Sequence, residues 1–157
     1  RSSDLANHEG RAVGDVIEVA HAPQVLWPVH CVQASSGAEF HAALNQTHIQ
    51  HIVHKGIDPA IDSYSAFFDN AHQRSTGLAD YLQAKGIHTV YIVGLATDYC
   101  VKYSALDAAK LGFTVWVIED ACRGVELKPG DVESAFAEMR SAGIKLIQSA
   151  SVLSAKE

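Results

Sequence analysis

From Leu44 onward, apolar positions switch repeatedly between short β-branched runs and stripes four residues apart. The run His48-Ile49-Gln50-His51-Ile52-Val53-His54 predicts a strand that ends at Lys55-Gly56. Over 76–85, Leu78 and Leu82 share one face of a predicted helix, and Gly86 stops it. Residues 88–94 are β-branched and apolar on both faces, the pattern of a central parallel strand. Over 98–111, Val101, Ala105, Ala108 and Leu111 form a helical stripe closed by Gly112. A third strand is predicted over 114–118. A third helix follows over 131–142, with Val132, Ala135, Phe136 and Met139 on one side, and a last strand over 145–148. Alternation in units of about thirty residues predicts an α/β domain of the Rossmann type. Its three α/β/α layers would hold a mostly parallel sheet with right-handed crossovers and helices on both faces.

The first 45 residues do not follow this rhythm. Asp15-Val-Ile-Glu-Val19 predicts a short strand, whereas Pro23, Pro28 and the polar residues around them read as loop. A doubly wound sheet opens on a strong apolar strand, and none stands here. The chain also starts at Arg1 and not at Met. The expectation is one domain over 1–157 that is either small or has opening strands preceding Arg1. No internal repeat, low-complexity tract or linker interrupts it.

Composition narrows the function classes. A chain of 157 residues with 48% hydrophobic and 19% charged positions carries enough apolar surface for a core, which excludes a disordered chain. Eighteen acidic against twelve basic residues, a net charge of −6, argue against a nucleic-acid partner, which favours a basic face. The longest apolar run, 90–96, is far short of the roughly 18–20 residues of a membrane helix, and no charged-then-apolar leader opens the chain. The three cysteines, Cys31, Cys100 and Cys122, are an odd number without CxxC spacing. That usage disfavours a disulfide framework or thiolate zinc site and predicts a reducing, cytoplasmic setting.

In open parallel sheets, ligands gather beyond the carboxyl ends of the strands. Lys55 ends the first predicted strand, and Cys100 follows the central one within Gly94-Leu95-Ala96-Thr97-Asp98-Tyr99-Cys100. A thiol in a first helical turn faces unpaired N–H groups and the positive end of the helix dipole, which favour thiolate. The same turn offers backbone donors to an oxyanion. Each residue also has a plain reading, Cys100 as a small buried residue and Lys55 as a solvated charge, but an ammonium beside the thiol would support a nucleophile. Cys122 follows Glu119-Asp120, whose carboxylates oppose a thiolate, and so reads as packing. Cys31 adjoins His30, but neighbouring side chains point apart. Nine histidines raise the question of a metal. His51 and His54 fall on opposite faces of a strand, and His48 lies too far from His54 along it. His8, His21, His41, His72 and His88 sit among polar residues and read as surface. Only His30, in the Pro-fixed loop Trp27-Pro28-Val29-His30-Cys31, stands in a context suited to ligation, and a catalytic metal wants about three protein ligands.

Five ordered motifs then point to a known family. They are Trp27-Pro-Val-His30-Cys-Val-Gln33, His54-Lys55-Gly56, Asp62-Ser-Tyr64-Ser-Ala-Phe-Phe-Asp69, Gly94-Leu-Ala-Thr-Asp-Tyr-Cys100-Val and Leu106-Asp-Ala108. With them the chain resembles the nicotinamidases (pyrazinamidases) of the isochorismatase-like cysteine hydrolases, over about residues 5–149. The resemblance implies that Cys100 attacks the carboxamide carbon of nicotinamide, expels ammonia and leaves a thioester that water hydrolyses to nicotinate, in NAD salvage. It implies that Lys55 supports the thiolate and that the backbone N–H groups of Ala96 and Cys100 form the oxyanion hole. A cis Leu95–Ala96 peptide is implied, with Leu95 against the substrate. It makes Trp27 and Tyr64 the aromatic walls around the ring and His30 a ligand of one divalent metal ion, zinc first, iron or manganese otherwise.

The family's catalytic aspartate and its Asp-x-His metal ligands have no counterpart here, which matches the missing opening strands. A chain starting at Arg1 is therefore expected to be inactive by itself. Two other readings stay open. One is a hydrolase of the same fold acting on a ureido or carbamoyl amide. The other is a non-catalytic α/β module. The implied partner is a small molecule, with no nucleic acid or membrane, and the assembly state, a homo-oligomer included, is left open.

Overall fold

The computed structural model describes residues 4–19 and 22–153. His21, read above as a surface residue, lies outside the described residues.

Three parallel strands carry the fold: β3 (Thr89–Leu95), β4 (Thr114–Arg123) and β5 (Lys145–Ile147), side by side in that order. Helix α1 (Leu78–Ala84) leads into β3, α2 (Lys102–Lys110) crosses from β3 to β4, α3 (Asp131–Ser141) crosses from β4 to β5, and α4 (Ser149–Leu153) follows β5. The predicted strand–helix alternation is therefore present. Helix α1 stops where predicted, because Gly86 takes a positive φ of 67° and lets Ile87 N–H reach back to the Leu82 carbonyl.

The core lies between the sheet and these helices. Val115 and Val117 of β4 meet Ala105 and Ala108 of α2 and Ala135 and Met139 of α3, all buried. Small alanines on both crossover helices allow their backbones to come close to the sheet and to each other. Leu78 and Leu82 of α1 pack against the same cluster beside Val90 and Ile92. The register of β3 against β4 shifts between Ile92 and Gly94, after which Gly94 pairs with Cys122 and Leu95 with Arg123. That shift extends β4 to Arg123, beyond the predicted 114–118.

Three readings need correction. Residues 48–54 form no strand. A β-branched run becomes a strand only when a neighbour shares its backbone hydrogen bonds, and among the described residues no strand lies alongside it. Second, β3 is the outermost strand of the described sheet, not a central one. Its Tyr91, Val93 and Leu95 are exposed on the face opposite Val90 and Ile92. Apolarity on both faces records a strand's capacity for burial, not which neighbours it has. Third, the segment around Pro23 is not all loop. β1 (Val16–Val19) pairs antiparallel with β2 (Ala22–Val25), and Pro23 stands opposite Glu18. A proline lacking its N–H is tolerated in such a two-stranded ribbon.

Candidate active site

The turn from β3 into α2 is built differently from an ordinary helix start. β3 ends at Leu95, the Leu95–Ala96 peptide is cis, as the resemblance implied, and Thr97–Val101 forms one π turn before α2 begins. The Ala96 carbonyl accepts from both Tyr99 N–H (3.1 Å) and Val101 N–H (3.0 Å). A continuous α-helix was expected from 98. The wider turn lets Thr97, Asp98 and Val101 all face inward while Cys100 stays half-exposed.

Lys55 reaches this turn from an irregular loop. Its Nζ lies 3.5 Å from Cys100 Sγ and donates to the Ser63 carbonyl at 2.5 Å. The two side chains therefore meet beyond the carboxyl end of β3, across 45 positions of sequence. They border an open cavity of about 440 Å³ whose wall also includes Phe67, Leu82, Val90 and Leu95.

The Ser63 carbonyl is held in place by a densely bonded loop. Ser63 N–H donates to Asp62 Oδ1 (2.8 Å), its hydroxyl donates to the Phe68 carbonyl (2.8 Å), and Ala66 N–H donates to Ser104 Oγ on α2 (2.8 Å). The Asp69 carboxylate accepts the backbone N–H groups of Ala71, Gln73 and Arg74 and folds the loop back on itself. Sequence reasoning missed Ser63, since a backbone acceptor leaves no signal in residue type.

The aromatic residues form a second group. Trp27 Nε1–H donates to Tyr64 Oη at 3.1 Å, and Gln24 Nε2 donates to the same oxygen at 2.8 Å. Asn70 Nδ2 donates to Gln24 Oε1 (2.9 Å), and Asn70 Oδ1 accepts Tyr64 N–H (2.8 Å), which closes the ring of contacts. Burial pushes the Tyr64 phenol up to about 12, with the hydrogen bond from Trp27 acting the other way. The Trp27 ring stands edge-on to Tyr99 at 4.8 Å, and Tyr64 lies 5.4 Å from Tyr99. Burial, and then the Asp98 carboxylate, raise the Tyr99 phenol as well. Trp27 and Tyr64 therefore touch the turn that carries Cys100 through Tyr99. Neither they nor His30 belong to the wall of the cavity beside Cys100, where they were expected together. Gln24 and Asn70 were missed because short polar residues in a loop-like stretch carry no pattern.

His30 is exposed, and its Nδ1 donates to the Pro28 carbonyl at 2.6 Å. Among the described residues no group of three or more His, Cys, Asp or Glu side chains converges to hold a metal ion. One imidazole does not make such a centre. All three cysteines are free, and burial raises the Cys122 thiol, in keeping with a packing role. No described helix is long and apolar enough to cross a membrane.

This arrangement has counterparts. The family model described as the isochorismatase domain matches residues 6–151. A nicotinamidase of Acinetobacter baylyi is 47% identical over 151 residues, covering 96% of this chain and 70% of that protein. A nicotinamidase of Escherichia coli is 52% identical over 124 residues, covering 79% of this chain and 58% of that one. The chain thus spans between 58% and 70% of the length of these relatives. Among solved structures, a nicotinamidase/pyrazinamidase of Acinetobacter baumanii superposes with a TM-score of 0.92 at 49% identity, covering 96% of this chain and 72% of that chain. An L. infantum protein solved in complex with nicotinate matches at 0.76 and 39% identity, over 83% of this chain and 63% of that one. A pyrazinamidase of Pyrococcus horikoshii in complex with zinc matches at 0.68 and 43%, over 78% and 63%. With a parallel α/β sheet, a cysteine in the turn after β3 and a family match over nearly its whole length, the chain belongs to the isochorismatase domain family.

Proposed function

We propose that the protein is a nicotinamidase, hydrolysing nicotinamide and its analogue pyrazinamide to the carboxylic acid and ammonia, in NAD salvage. The observation that carries this reading is the Lys55 ammonium 3.5 Å from Cys100 Sγ in the turn after β3. Relatives named as nicotinamidases supply the substrate class. Cys100 acts as a thiolate that adds to the carboxamide carbon, and the Lys55 charge stabilises both the thiolate and the negative charge that develops on the carboxamide oxygen. The N–H groups of Ala96 and Cys100 are the proposed donors to that oxygen. As the adduct collapses, the leaving nitrogen takes up one proton from water, the C–N bond breaks, ammonia departs and an acyl thioester remains. Water then cleaves the C–S bond, giving the carboxylate, restoring the thiol and returning a proton to solvent. Leu95 borders the same cavity and offers apolar surface to a flat ring, while Trp27 and Tyr64 are proposed to contribute through the aromatic group that continues into Tyr99.

A divalent metal is proposed on the relative solved with zinc, with His30 as one donor. The described residues do not assemble the other donors. The free cysteines support a cytoplasmic setting.

An ammonia-release assay on nicotinamide, pyrazinamide and ureido compounds tests the reading. Release from the two pyridine-type amides that disappears in Cys100→Ser supports it. Turnover of ureido compounds alone moves the activity to another hydrolase of the fold, and uniform inertness to iodoacetamide near neutral pH, with no selective modification of Cys100, favours a non-catalytic module.

A further inference from the structure

We propose that Asp98 is a positioning residue that clamps the nucleophile turn to the segment after β4 and so sets the distance between Cys100 and Lys55. The inference rests on the cysteine-nucleophile reading above. The β3–β4 ladder ends at Leu95 and Arg123. Beyond that point Asp98, buried in the π turn, takes over: its Oδ1 accepts Val125 N–H at 3.0 Å and its Oδ2 accepts Glu126 N–H at 2.8 Å. Both carboxylate oxygens are engaged by consecutive amides of one strand-end segment.

The receiving segment is itself fixed. Glu126 has a positive φ of 53°, and its Oε1 accepts Gly130 N–H at 2.9 Å. Lys128 N–H donates to Asp131 Oδ2 at 2.9 Å. Gly124 fills the gap under the clamp. A Cβ there would come within 2.1 Å of Val132 Cγ2 and 3.3 Å of Asp98 Oδ1. A larger residue there must displace the Val132 side chain and crowds the Asp98 carboxylate.

The consequence for chemistry is geometric. Cys100 lies two residues after Asp98 in the same turn, and its sulfur is 3.5 Å from the Lys55 nitrogen. A rotation of the turn that lengthens this contact removes the ammonium's support, and misplacement by about 1 Å is enough to cost a catalytic site about 100-fold. Other charged or titratable groups in the turn and on the elements packed against it are Asp98 and Tyr99, Lys102 of α2 (paired with Glu138 of α3 at 3.1 Å), and Tyr103 and Asp131, which both act on Tyr99.

Asp98→Asn and Asp98→Ala in the full-length protein test the proposal through nicotinamide kinetics and the pH dependence of Cys100 alkylation by iodoacetamide. The expected result is a kcat about tenfold lower or more, with KM within about threefold. The alkylation midpoint should move to higher pH. Removing a nearby anion would by itself move that midpoint lower, so the direction separates positioning from charge. A folded variant with unchanged kcat, or a midpoint that falls, overturns the proposal. Gly124→Ala keeps the carboxylate and crowds the same contact, and should move the midpoint in the same direction. A folded Gly124→Ala protein with an unmoved midpoint also overturns the clamp. If Cys100→Ser retains deamidation, it is the nucleophile reading that fails.

Discussion

The nitrogen of Lys55 and the sulfur of Cys100 lie 3.5 Å apart, although the lysine comes from an irregular loop and the cysteine from the π turn behind β3. The lysine is held there by the Ser63 carbonyl, so the charge beside the thiol depends on the 62–76 loop as well as on the sheet. That dependence leads to separate expectations for the side chains, the loop, the aromatic ring and the core.

Removing either partner of the pair should impair turnover, to different extents and in different ways. Cys100→Ser is expected to lose essentially all deamidation. Lys55→Met should lower kcat/KM by about 100- to 10,000-fold and slow iodoacetamide alkylation of Cys100 at neutral pH. Stopped assays with mass spectrometry of the alkylated protein read both, and rapid alkylation in Lys55→Met would show that the ammonium does not support the thiolate.

The loop that carries Ser63 hangs on α2 through Ala66 N–H and Ser104 Oγ. Ser104→Ala leaves a half-buried amide without that acceptor and should cost about 1–3 kcal/mol of stability. It should also reduce kcat more than the loss of folded protein accounts for, because Lys55 loses its support. Chemical denaturation and kinetics on the same preparation compare the two effects.

Tyr64 should titrate late. Its phenol, pushed up to about 12 mainly by burial, stays protonated in the folded protein where an unfolded tyrosine ionises near 10. The folded state therefore binds more protons between these values. The stabilisation is complete below about pH 10 and is lost as pH rises toward about 12. Tyrosinate absorbance followed against pH should show late-titrating tyrosine, to which Tyr99 also contributes, and the part that disappears in Tyr64→Phe should be the latest; denaturant midpoints should fall across the same window. A Tyr64→Phe protein whose alkaline stability profile matches the parent would contradict this.

Met139 of α3, fully buried in the core cluster, is part of neither the Lys55–Cys100 contact nor the wall of the cavity beside it. Met139→Ala should cost about 2–5 kcal/mol while leaving kcat per folded molecule within about twofold. Thermal denaturation and active-site titration with iodoacetamide separate the two readouts. A drop in kcat equal to that of Lys55→Met would place the core inside the catalytic machinery.

The crossover helices and the strands β3 to β5 were readable because their stripes of Val, Leu and Ala repeat with a helical or strand period, and burial of such a stripe is a local property. Cys100 was readable as chemistry by residue type and by its place after β3, and Lys55 by residue type and by the His54-Lys55-Gly56 motif, although the strand expected before it does not form. The run 48–54 and the ribbon around Pro23 were misread for one shared reason. Strand formation needs a partner for the backbone N–H and C=O groups, and the partner is chosen by tertiary contact and not by the run itself. By itself, then, the sequence determined an α/β chain with a thiol after its first described parallel strand and a lysine at the end of a β-branched run. Only the tertiary structure decided that the lysine nitrogen reaches the sulfur, that Ser63 holds it there, that Gln24 and Asn70 join Trp27 to Tyr64, and that Asp98 spans to Val125 and Glu126. Each of these is a contact between groups distant in sequence or a bond to backbone, and neither leaves a periodic mark on the order of residues.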